Sequence, residues 1–279
     1  MTLPLLLKIV LLLGVVLMVA SIGLRARLQR PLLLLRQPAL ALRAMGAMYG
    51  ALPAFVLALV WLMPLREGVG AVLLGFAVSP VLPPWARKGV ALGGQDDYVI
   101  GLQLLSSAVA LLVIPLVIWI AQHLFGIHTS LTAGAIERVL LVTVAAPLVV
   151  GLGLGRLWPA AAPRLATLAE NVGGVVLLIG AVAILVLQSR AILGALGEGT
   201  LLATVAVVAF GLFVGRGLGG PDAGNRAALA SATVSRHPAI ALLVASGAFP
   251  NQQPTVVGTV LLYLLASLVL PIPLERRHT

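Results

Sequence analysis

Residues 228–247 read ALASATVSRHPAIALLVASG and carry Arg236, His237 and Pro238 in the middle of an apolar run long enough to cross a membrane. A spanning helix takes about 20 mostly apolar residues, because no water is present to satisfy its backbone. An arginine at mid-span costs about 3 kcal/mol on insertion scales, so its presence calls for a compensating partner. Proline removes a backbone donor and presses on the turn before it. The stretch therefore reads as a broken spanning helix built around a buried cation.

The rest of the chain is of the same kind. Of 279 residues, 61% are hydrophobic and 9% charged, with a mean hydropathy of +1.13, far from the soluble globular range. The composition predicts an all-α polytopic membrane protein. Nine apolar segments follow one another, at about 3–23, 40–64, 69–85, 97–122, 137–156, 166–189, 199–217, 225–247 and 254–273. The first, LLLGVVLMVASIG at 11–23, has only Lys8 ahead of its core and is followed by a polytopic array, so it reads as a spanning helix rather than a secretory signal. The whole of 1–279 is expected to form a single transmembrane domain.

The formal net charge of +10 does not point to nucleic acid, since no basic stripe with interleaved aromatics is present. Its basic residues sit in loops, where they set topology and attract anionic lipid headgroups. Counted by alternate loops, Lys and Arg divide thirteen (Arg25, Arg27, Arg30, Arg36, Arg43, Arg87, Lys88, Arg156, Arg164, Arg216, Arg226, Arg276, Arg277) against four (Lys8, Arg66, Arg138, Arg190), with Arg236 on neither side. That bias predicts an N-terminus outside and a C-terminus in the cytoplasm of a plasma (cytoplasmic) membrane. With no cysteine, there is no disulfide framework or thiolate site to read. No metal-ligand cluster, carboxylate dyad or nucleophile with a base is apparent either, so neither an enzyme nor a resident cofactor is expected.

A second segment is interrupted. GFAVSPVLPPWARKG at 75–89 holds Pro80, Pro83 and Pro84, which no continuous helix accommodates. On the predicted topology this third segment and the eighth run antiparallel. Divided after the fourth segment, the chain gives halves of about 1–125 and 135–275. If the first half lacks an initial helix, both breaks fall at the same place in an inverted 4+5 repeat. Paired interruptions of this kind mark the midplane substrate site of secondary transporters.

Four stretches carry a resemblance: MVASIGLRARLQRPLLLLRQP (18–38), SPVLPPWARKGVALGG (79–94), PLVVGLGLGRLWPAAAPRLATLAENVGGVVLLIGAVAILV (147–186) and ASATVSRHPAIALLVA (230–245). In their order and spacing the sequence resembles the bile acid:sodium symporter family, within a superfamily that includes arsenite and auxin-type efflux carriers. The resemblance implies nine helices in panel and core domains, two discontinuous helices crossing in the core, and transport of organic anions, often with sodium, by alternating access. It also implies glycines and small polar residues after Pro80, and a glutamate four residues ahead of a Gln-Asn pair. Here Val81, Leu82, Pro83 and Pro84 follow Pro80, Arg236-His237 stands at the pair, and Ala232 stands at the glutamate position. The main sodium carboxylate is therefore missing.

The candidate site comprises Ser79, Pro80, Ser235, Arg236, His237 and Pro238 at the breaks, with Gln103, Ser106 and Ser107 in the fourth segment and Tyr49 in the second. Arg236 can grip an anionic substrate bidentately, can supply in place the charge that sodium supplies in relatives, or can be a structural cation satisfied by freed carbonyls. A sodium site rebuilt from hydroxyls would draw on Ser79, Ser106, Ser107, Ser231, Thr233 or Ser235. His237 admits proton coupling, although the adjacent arginine disfavours a charged imidazole. His123 and His128 lie too near an external loop for a relay. GLGLGRL at 151–157 lacks the preceding strand of a phosphate cradle, and its glycines are expected to serve close helix packing. The expected function is secondary transport of a small organic anion without clear sodium dependence. A membrane sensor or scaffold that kept the fold is the alternative.

Overall fold

The computed structural model describes residues 3–25, 33–82, 85–125, 141–187 and 197–272, with the single residues 138, 190 and 194. Helices make up all the regular structure in them. In chain order these are α1 (Leu3–Arg25), α2 (Leu33–Arg36), α3 (Pro38–Met45), which passes through a π-helical Gly46–Ala51 into α4 (Leu52–Leu62), α5 (Glu67–Val78), α6 (Trp85–Ala91) and α7 (Asp96–Phe125). A second π-helical stretch, Leu141–Ala145, leads into α8 (Ala146–Leu157) and α9 (Ala162–Leu187), followed by α10 (Thr200–Leu218), α11 (Ala223–Val234), α12 (Pro238–Ala248) and α13 (Gln253–Val269).

Each apolar segment read from the sequence overlaps one of these helices. Among the described residues, five helical stretches are long and apolar enough to cross a membrane: Pro38–Leu62, Asp96–Val117, Ala162–Gly180, Thr200–Leu218 and Pro250–Val269. Leu12–Arg25, Glu67–Val78, Leu141–Leu157 and Pro238–Ala248 are shorter apolar helices. The protein is thus an all-helical, multi-pass membrane protein. Two boundaries differ from expectation. The third segment does not end at 85: after its break the chain continues as α6, so Arg87 and Lys88 lie on a half-helix rather than in a loop. A short helical turn, α2, also falls where a plain loop was expected.

The chain falls into two compact units, Met1–Pro31 with Glu137–Leu187, and Leu32–Ile136 with Gln188–Thr279. Neither coincides with a sequence half, since each draws on both. In the first unit α1 packs along α8 and α9. A Cβ at Gly151 would lie 2.2 Å from the Ala20 carbonyl oxygen and one at Gly155 3.1 Å from that of Leu24, whereas one at Gly153 would meet nothing within 4 Å. Two of the three glycines therefore serve close packing and the third does not. Glu170 lies two turns inside α9, buried, and receives Arg25 Nη2 at 2.7 Å.

The second unit holds both breaks. α5 packs against α12 and α13, and α10 against α11. One buried cluster joins Leu52, Leu73, Phe76, Val234, Ala241 and Tyr263, with the Phe76 and Tyr263 rings stacked at 3.9 Å between centroids. Another joins Met48, Val81, Trp85, Tyr98, Leu229 and Ala232. A Cβ on Gly75 would come within 2.8 Å of Ala241 Cα, which shows how closely α5 and α12 approach.

Candidate functional site

The two breaks pair with each other. Val81 and Arg236 form an isolated antiparallel bridge, closed by Leu82 N donating to Ser235 O at 2.9 Å and His237 N donating to Pro80 O at 3.0 Å. Buried backbone groups released from a helix must find new partners, and each break supplies the other's. The outer edge of Val81 is met by α7: Ser106 Oγ accepts from Val81 N at 3.4 Å and Gln103 Nε2 donates to Val81 O at 3.0 Å. Side chains of a helix thus stand where a third strand would be.

Arg236 is 1% exposed and its guanidinium is enclosed by main-chain carbonyls. Nε donates to Thr233 O at 3.0 Å and Nη1 to Ser79 O at 2.7 Å. Nη2 donates to Ala77 O at 3.2 Å and to Met48 O. Each carbonyl is available for a reason legible in the backbone. The Ala77 carbonyl would serve Pro80, which has no N–H, or Val81, whose N–H goes to Ser106. That of Ser79 would serve Pro83, again without an N–H. For Thr233, the donors Arg236 N and His237 N are turned to Val234 O and Pro80 O. Met48 belongs to the π-helical turn, where Leu52 N reaches back to Ala47 O and the next donor in line would be Pro53. Pro53 forbids a regular turn before it, the turn widens, and one carbonyl is left over.

Tyr49 completes the enclosure. Its ring centroid lies 5.1 Å from Arg236 Cζ, within cation–π range, and its hydroxyl donates to Ser106 O at 2.6 Å. Tyr263 donates to Val234 O at 3.1 Å, and Trp85 Nε1 donates to Ser231 Oγ at 3.2 Å, tying α6 to α11.

Most of the expected residues meet at this bridge. Ser79, Pro80, Ser235, Arg236 and His237 form the bridge and its flanks, Pro238 is the first residue of α12, and Tyr49, Gln103 and Ser106 surround it. Ser107 takes another course, its hydroxyl turned back to Gln103 O at 2.9 Å. Three more of the hydroxyls considered for sodium do the same: Ser79 donates to Phe76 O, Ser106 to Gln103 O and Thr233 to Leu229 O. They satisfy their own helices. Ala232 is fully buried and apolar at the position where the resemblance places a glutamate. His237 is 1% exposed, and its two ring nitrogens have no hydrogen-bond partner among the described residues; Gln103 Oε1 and the Tyr98 hydroxyl share that condition. Pro83, Pro84 and His128 lie outside the described residues.

The sequence allowed freed carbonyls as partners of Arg236 without showing that those of Met48, Ala77, Ser79 and Thr233 are the ones, because a carbonyl ligand leaves no mark in side-chain identity. The usable signals were the prolines: Pro53, five residues beyond Met48, and Pro80 and Pro83 at the first break.

The model of the Sodium Bile acid symporter family matches residues 12–195. The chain belongs to this family. Members of the sodium bile acid symporter family are membrane transporters rather than enzymes, and this chain is a transporter of that type. The match includes the first break and ends before Arg236. No curated protein matches the chain.

Proposed function

We propose that this member of the sodium bile acid symporter family moves a small organic anion by alternating access, without sodium, and that Arg236 is its resident cation. The observation that carries the reading is the enclosure of the Arg236 guanidinium by the carbonyls of Met48, Ala77, Ser79 and Thr233. Carbonyls at half-helix ends are what transporters use to hold a coupling cation, and here the cation belongs to the chain. With four of its five donors on carbonyls, the guanidinium acts on the anion through its charge rather than by a bidentate grip. α6 and α12 both begin at the crossing, and the N-terminal amides and positive dipole end of α12 would receive the anion there. The antiparallel bridge also supports the inverted 4+5 arrangement of nine spans, with the crossed breaks opening to one side of the membrane and then the other.

Uptake of taurocholate and a panel of organic acids into proteoliposomes tests this. Uptake that persists when choline replaces sodium is expected, and an absolute sodium requirement would overturn it. Arg236→Gln should abolish uptake; full activity with unchanged substrate choice in that variant would remove Arg236 from the site. Proton coupling through His237 is the alternative coupling mode. It requires uptake to follow a pH gradient and to lose that dependence in His237→Asn.

A further inference from the structure

We propose that the transported anion crosses without a travelling counter-cation, so that the membrane potential drives net flux and, across an inside-negative membrane, directs it outward. The inference rests on the reading of Arg236 as a resident cation.

Charge bookkeeping at the crossing is simple. Among the described residues of the unit that holds the breaks, Arg236 is the one buried charged side chain. Its partners are four neutral carbonyls and the face of Tyr49, with no carboxylate among them. A guanidinium keeps its charge in proteins, so the empty site carries one positive charge. A site loaded with a monovalent anion carries none. In a sodium symporter the cation leaves with the substrate, whereas this cation is bonded to the chain and must return with the empty site.

Two consequences follow for movement in an electric field. Reorientation of the loaded site does no work against the potential, so exchange of one anion for another is indifferent to voltage. Reorientation of the empty site moves a positive charge, which an inside-negative potential draws toward the cytoplasm. There it reloads, and a completed cycle exports one negative charge. At about 2.3 kcal/mol per charge per 100 mV, the equilibrium accumulation ratio changes about tenfold for each ~60 mV.

The full chain in sodium-free proteoliposomes, with valinomycin and a potassium gradient setting the potential, tests this using radiolabelled taurocholate and pyruvate as probes. Exchange of either probe against itself should run at the same rate at zero potential and with an inside-negative potential. Net movement of that probe should be driven toward the positive side, with the tenfold dependence given above. Exchange that persists while net movement ignores the potential, or follows a sodium or pH gradient instead, overturns this inference and leaves the transporter reading in place. Absence of exchange for both probes overturns the functional reading and the inference with it.

Discussion

A guanidinium is a rigid fork of five donors, and the four hydrogen bonds around Arg236 use that geometry in full view of two helix ends and a π-turn. Breaking one side of such an arrangement is costly, because buried carbonyls are left without donors. Arg236→Gln should therefore destabilise the protein by about 3–5 kcal/mol, read as a lower thermal midpoint in detergent, and Arg236→Lys should fall between the two because it keeps the charge and loses the fork. Gln103→Leu tests the neighbouring contact. It removes the donor to Val81 O and should cost about 1–3 kcal/mol, whereas Ser107→Ala, which breaks only a bond back to its own helix, should cost less. At this scale the sequence exposed the side chains and hid their partners. Arg236 stands out in any hydropathy profile, but the carbonyls of Met48 and Ala77 are set by where backbone donors are missing, and that depends on prolines several residues away.

Helices were more legible than contacts, because apolar length is a property of contiguous residues. The broken segments announced themselves through Pro80 and Pro238, yet the extent of α6 did not, since a half-helix beginning at a break has no need of apolar length and can carry Arg87 and Lys88. Packing between helices was legible only as a tendency. GLGLGRL offers three glycines with the same apparent role, and the structure separates them. Gly151→Ala should lower the thermal midpoint of the purified protein, because the new methyl meets the Ala20 backbone at 2.2 Å and overpacking costs about 1–3 kcal/mol. Gly153→Ala meets nothing within 4 Å and should leave stability unchanged or raise it by about 0.5–1 kcal/mol through helix propensity. Equal effects of the two substitutions would contradict the close approach of α1 and α8.

Across the whole molecule, the division into two units could not be read from the sequence, because each is assembled from two stretches with a stretch of the other between them. Local patterns do not encode such pairings. An exposed ion pair shows the same long reach: Arg66, just before α5, meets Glu198, just before α10, through two hydrogen bonds. The guanidinium holds the Glu198 carboxyl below the usual carboxylate range. A depressed folded-state value adds stability above the unfolded value and loses it as the pH falls through the folded one. Wild type should accordingly be more stable than Glu198→Gln at pH 7, with the difference fading on acidification through the carboxylate range and shrinking in high salt. A pH-independent difference would argue against the pair. The arginine cage has a bearing on biogenesis as well. Met48, Ala77 and Ser79 precede Arg236 by 188, 159 and 157 residues, so three of its four acceptors are made long before the cation emerges from the ribosome. The nascent segment around Arg236 is poorly suited to enter lipid alone, and it is the earlier half of the chain that makes its insertion favourable.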